Sequence, residues 1–200
     1  RRGLRRTLWR SPGSSGSLCS ILVVGRRPLP PGPYPYNVFV QSLAPMDAEI
    51  LTRLFRALAE ERVRYVVFGG IAVNVRGVTR TTEDLDLFLD SSPENVEAAR
   101  RALESVFEDP ALAELTPETL EEYGLVRYGP PAHNFVIDLT TRVGEAFTFE
   151  DLEHTSVDLH GQPVPVATAR MLVRMKRGST REKDRSDVTR LRERHGIEDL

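Results

Sequence analysis

The chain has 200 residues, 28% charged and 40% hydrophobic, enough for one domain of ordinary size with a real core. Its formal charge is only −2, but residues 1–45 hold seven arginines and no acid, which leaves 20 of the 27 basic residues against all 29 acids in 46–200, a formal −9. No hydrophobic run is long enough for a membrane helix, so no membrane partner is expected. The single cysteine, Cys19, excludes an internal disulfide or a multi-cysteine zinc site and points to a cytoplasmic location.

Residues 1–45 read as an extension outside the domain, either disordered or spurious. Seven of the fourteen prolines lie there, and Pro28, Pro30, Pro31, Pro33 and Pro35 forbid a sustained helical or strand period. The favoured reading is upstream sequence joined by a wrong start, because Met46 is the first methionine and opens an amphipathic pattern. A transit peptide and a basic tail that touches nucleic acid are the other two readings of an Arg- and Ser-rich, acid-free segment.

From Met46 the elements follow in order. Ile50, Leu51, Leu54, Phe55 and Leu58 recur at helical spacing and predict a helix over 47–61. Val63 to Phe68 is a β-rich run ending at Gly69-Gly70, and Ile71 to Arg76 predicts a short helix stopped by Gly77. Leu85 to Leu89 predicts a strand. Ser92-Pro93-Glu94 starts a helix whose apolar face carries Val96, Ala99, Leu103 and Phe107, and 109–122 predicts another. Leu125 to Tyr128 and Asn134 to Leu139 predict paired strands, and Asp158 to Val166 a hairpin around His160-Gly161. Helices over 168–176 and 183–195 complete an α+β domain, 46–200, with a small mixed β-sheet flanked by helices.

Chemistry concentrates in Phe68-Gly69-Gly70, thirteen residues, then Asp84-Leu85-Asp86-Leu87. In a strand, residues i and i+2 share a face, so Asp84 and Asp86 project together. Two carboxylates side by side are costly unless a cation lies between them. A glycine turn beside such a pair suits a nucleoside triphosphate with magnesium. Asp138, in Phe135-Val136-Ile137-Asp138-Leu139-Thr140, is the only acid within an apolar β-rich run. Read structurally, Gly-Gly is a tight turn, Asp138 an ordinary strand-end acid and Arg80 a surface arginine. His133, His154, His160 and His195 read as surface or turn residues.

This arrangement resembles the nucleotidyltransferase superfamily that includes DNA polymerase beta, whose motif is a hydrophobic residue, Gly-Gly or Gly-Ser, nine to thirteen residues, then Asp-hydrophobic-Asp/Glu-hydrophobic. Gly77, Arg80, Thr82 and Asp84 stand in the family's Gly-x-x-Arg-x-Thr-x-Asp register. Lys176 followed by Arg181-Glu182-Lys183-Asp184-Arg185-Ser186-Asp187 is similar to the ending of small AbiEii-type toxin domains. The resemblance implies a fold of the nucleotidyltransferase kind and transfer of a nucleoside monophosphate from an NTP to an acceptor hydroxyl. It implies Asp84, Asp86 and Asp138 as catalytic ligands of two magnesium ions, with Asp138 assisting deprotonation. It also implies Gly69, Gly70, Arg80, Thr82, Lys176 and Lys183 as nucleotide contacts. Asp184 and Asp187 read as structural partners of the basic side chains, and a Lys183–Asp187 helix pair is the plain alternative to substrate contact. The implied acceptors are an RNA 3′ end such as that of tRNA, with an antitoxin protein as partner, or a protein, or a small aminoglycoside-type molecule. A non-catalytic nucleotide-binding regulatory domain of the same fold is the rival. A nucleic-acid-binding protein without chemistry is disfavoured by the acidic domain.

Overall fold

The computed structural model describes residues 21–23, 48–131, 133–143, 147–159 and 161–198. Seven strands form one mixed sheet: β1 (Ile21–Val23), β2 (Tyr65–Phe68), β3 (Asp84–Leu89), β4 (Leu125–Tyr128), β5 (Val136–Thr140), β6 (His154–Leu159) and β7 (Gln162–Ala167). Their spatial order is β1-β4-β5-β3-β2-β7-β6. The pairs β3–β5 and β2–β7 are parallel, and the rest are antiparallel. The helices are α1 (Ala48–Glu60), α2 (Gly69–Val75), α3 (Pro93–Phe107), α4 (Pro117–Tyr123), α5 (Ala169–Lys176) and α6 (Glu182–His195). This is the α+β class with a mixed sheet. The sheet is larger than expected, because Ile21–Val23 adds an edge strand against β4 from within the segment read as an extension.

Alternation along the strands divides the sheet into two unlike faces. One carries Tyr65, Val67, Leu85, Leu87, Leu89, Val126, Tyr128, Ile137 and Leu139, all buried. The apolar stripe of α1 reaches this face, where Phe55 stacks on Tyr65 with ring centroids 6.4 Å apart. α3 reaches it too, where Phe107 meets Tyr128 edge-on at 5.6 Å. The opposite face carries Phe68, Asp84, Asp86, Phe88, Arg127 and Asp138.

Three elements differ from expectation. The stretch 109–122 is not one helix but a 3-10 turn, Pro110–Glu114, followed by α4. Thr116 precedes Pro117 and is held extended, and its hydroxyl accepts from the Thr119 amide to start a new helix. The glycines do not form a turn ahead of α2 but make up its first two residues. The hairpin begins four residues earlier than expected, at His154, because β6 is an exposed edge strand without apolar alternation. Among the described residues no helix is long and apolar enough to cross a membrane.

Candidate active site

Asp84 and Asp86 lie at the start of β3, where the strand emerges beside the first turn of α2. In the parallel β3–β5 ladder Asp86 stands opposite Asp138, and Asp84 opposite Val136. All three carboxylates therefore lie on the same face, Asp84 two residues before the Asp86–Asp138 pair. Burial pushes the Asp86 carboxyl up to about 6, aided by the nearby charges of Asp138 and Asp84 and opposed by the Gly70 amide and Lys176.

The glycines are needed because the chain passes directly over this carboxylate. Gly69 has φ +62°, and a Cβ there would lie 1.9 Å from the Asp86 Oδ2. A Cβ on Gly70 would meet the Thr82 Oγ1 at 2.2 Å and the Arg80 Nη2 at 2.7 Å. The Gly70 amide donates to Asp86 Oδ2 at 3.3 Å, so this amide is engaged with the carboxylate. Thr82 donates from its hydroxyl to the Asp84 carbonyl at 3.3 Å, bracing the approach to β3.

The same cleft is lined by cationic side chains. Asn74 of α2 fixes the Arg80 backbone, accepting from its amide at 2.9 Å and donating to its carbonyl at 2.8 Å. The Arg80 Nε lies 3.3 Å from Asp187 Oδ2, close as charges but not aligned as a hydrogen bond. Lys176, the last residue of α5, pairs with Asp184 and lies 3.1 Å from Asp187 Oδ2. Burial works upward on Asp184, but bonds from Lys176 and Ser179 prevail and lower its pKa. Asp187 is 2% exposed and joins α6 to α5 and to the loop before β3. Lys183 is not paired with Asp187, which is taken by the two cations from other elements. Lys183 is exposed, lines the cleft and has no ion-pair partner among the described residues.

These groups enclose a cleft of about 300 Å³. Gly69, Gly70, Asp84 and Asp86 line it together with the cations Arg80, Lys176, Arg181 and Lys183, and Phe68, Val143, Leu172 and Met175 form its apolar wall. Asp138 adjoins the cleft through Asp86 but is not part of its lining. Its carboxylate is gripped by Arg127 of β4, whose Nε donates to Oδ1 at 2.8 Å and Nη2 to Oδ2 at 2.6 Å. This hydrogen-bonded partner raises the Arg127 pKa further, with the charges of Asp138, Asp84 and Asp86 adding to it against burial. Among the described residues no group of three His, Cys, Asp or Glu stands in position to hold a metal ion. Asp84 and Asp86 nonetheless offer hard oxygen donors at a place where like charges repel. That donor set fits a magnesium ion, which commonly takes one or two carboxylates and completes its shell with water and phosphate oxygens.

Sequence reasoning missed Arg127, although Leu125-Val126-Arg127-Tyr128 shows one charge in an otherwise apolar strand. It also missed Asn74, for which a lone polar residue in an apolar helix was the only signal. His154 Nδ1 lies 3.0 Å from the Leu152 carbonyl and His195 Nε2 lies 2.9 Å from that of Arg76. His133 packs among Phe107 and Phe135. His160 lies outside the described residues.

No protein-family model matches the chain, and no curated protein matches it. Solved structures that align with it include the lincosamide antibiotic adenylyltransferase LnuA with lincomycin bound, 13% identical with a TM-score of 0.47 over 74% of this chain and 98% of that one. A solution structure of the antibiotic-resistance factor ANT(2'')-Ia is 16% identical, with a TM-score of 0.44 over 73% of this chain and 82% of that one. An antigenic nucleotidyltransferase-like protein from Paracoccidioides brasiliensis is 16% identical, with a TM-score of 0.46 over 72% and 74%. At such scores the functional reading rests on the residues of the cleft.

Proposed function

We propose that this protein is a magnesium-dependent nucleotidyltransferase that moves a nucleoside monophosphate from an NTP to an acceptor hydroxyl. One arrangement supports the reading: paired carboxylates and several cationic side chains line one cleft, where the backbone of Gly69 and Gly70 comes close to the acid and to Arg80 with no side chain in the way. That is the charge pattern a metal-bound triphosphate requires.

Asp84 and Asp86 would hold the magnesium ion. When bound, it supplies positive charge to the phosphate oxygens and orients the triphosphate. Arg80, Lys176, Arg181 and Lys183 bind the β- and γ-phosphates and stabilise the charge that builds up on the pyrophosphate. Asp187 and Asp184 keep Lys176 from extending into solvent, and Asp187 does the same for Arg80. Asp138, fixed by Arg127 and outside the cleft lining, keeps a free lone pair on each oxygen and would take the proton of the acceptor hydroxyl through one water. The acceptor oxygen bonds to the α-phosphorus, the α–β phosphoanhydride bond breaks, and pyrophosphate leaves. The motif resemblance leaves three acceptor classes open: an RNA 3′ end, in a toxin paired with an antitoxin, a protein, or a small aminoglycoside-type molecule.

The test incubates the full chain with magnesium and each α-labelled NTP, together with RNA, lysate protein and small polyols. Label should move to one acceptor class, and Asp84→Asn or Asp86→Asn should reduce transfer at least a hundredfold. Chelation by EDTA should abolish it. Transfer unchanged in both variants would overturn the reading.

A further inference from the structure

We infer that the carboxylates of this cleft take one divalent cation and not two, because the Arg127 guanidinium already fills the role of the second. The inference rests on the reading of the cleft as a cation site. Three carboxylates share one face of β3 and β5, and they are the charges that two divalent ions would need. Asp138, however, gives both oxygens to Arg127 in a two-pronged, charge-assisted bond. The contact is set by the backbone, since Arg127 is the cross-strand partner of Asp138 in the antiparallel β4–β5 ladder. A guanidinium does not lose its proton at any ordinary pH, so this positive charge is permanent. Lys176 and Arg80 are matched by Asp184 and Asp187, so three carboxylates against one guanidinium leave two negative charges, which one divalent ion neutralises. A second ion at Asp138 would have to displace Arg127 or share the carboxylate with it, cation against cation. The remaining pair, Asp84 and Asp86, is the part of the cluster that opens into the cleft. Arg127 is thus a positioning residue that holds Asp138 and sets the number of ions.

The test counts Mn2+ bound to the full chain with no nucleotide present, from the free-ion electron paramagnetic resonance signal, with thermal melts to show that each variant is folded. The wild-type protein should bind one Mn2+. Arg127→Gln should bind two. Asp138→Asn, which changes little in shape but leaves the guanidinium unmatched beside Asp84 and Asp86, should bind one ion at most, and more weakly than wild type. Two ions in the wild-type protein, a single ion of unchanged affinity in Arg127→Gln, or unchanged affinity in Asp138→Asn would each overturn the inference while leaving a cation site in the cleft. No Mn2+ on the wild-type protein or on Arg127→Gln would remove the cation reading of the cleft, and this inference with it.

Discussion

Gly69 is held at φ +62° with its backbone against the Asp86 carboxylate, and both facts exclude a side chain. Gly69→Ala should lower stability by about 1–3 kcal/mol, read as a fall in the urea midpoint, because strain and the 1.9 Å approach act together. Transfer activity should fall further than stability alone explains, since Asp86 must move to make room. Asp86 itself is stabilised poorly by the fold. Its pKa is pushed up to about 6, so the folded state holds its proton more tightly than the unfolded chain does. The metal-free protein is therefore most stabilised at this residue below about pH 4, and loses that contribution as the pH rises toward 6. Asp86→Asn keeps an oxygen for the Gly70 amide and removes the charge. In EDTA it should be more stable than wild type by about 1–3 kcal/mol at pH 7.5, with the gain vanishing near pH 4, while transfer is lost. Equal melting curves for the two proteins across that range would refute this.

Among the elements, α6 is the one whose importance its composition hides. It is short of apolar residues, and its buried side chains are Asp187 and Leu191. Asp187 is the counter-charge for Lys176 and Arg80, from α5 and the loop before β3. Removing one side of a buried charge cluster strands the others. Asp187→Asn should destabilise the protein by about 2–4 kcal/mol and raise the KM for the NTP more than it lowers kcat. A loss confined to kcat would instead place Asp187 nearer the reacting atoms. The sequence shows Lys176, Lys183, Asp184 and Asp187 as a group with the acids holding the basic side chains, and offers a Lys183–Asp187 pair as the plain alternative, because i,i+4 spacing is the only geometry it displays. Burial decides against that pair, since Asp187 points inward to Lys176 and Arg80 from other elements and Lys183 is exposed.

For the molecule as a whole, legibility followed sequence distance. The strand, glycines and acid pair lie within one continuous β–α–β stretch, so spacing alone revealed that Asp84 and Asp86 share a face. The Asp138 strand was recognisable by composition. Its pairing with Arg127 was not, because the loop between β4 and β5 leaves the register open and a one-residue slip would send the arginine to the other face. Charge is also distributed at this scale, with seven arginines in residues 1–45 and −9 on the remainder. At 50 mM salt the full chain should retain single-stranded RNA, and a variant with Arg1, Arg2, Arg5, Arg6 and Arg10 changed to Gln should retain less, a difference that fades by 200 mM. Equal retention by both would place the RNA-binding charge elsewhere in the chain.

The parallel pairing of β3 with β5 also has a consequence in time. Parallel neighbours require a long crossover, and here α3, α4 and β4 all intervene before β5 can dock. The lysine and the helix that face the acids arrive later still, at the end of the chain. Long-range closures of this kind slow folding. During refolding the local β2–α2–β3 unit should form early, and the cleft should be among the last features to appear. Binding competence should therefore lag behind recovery of secondary structure.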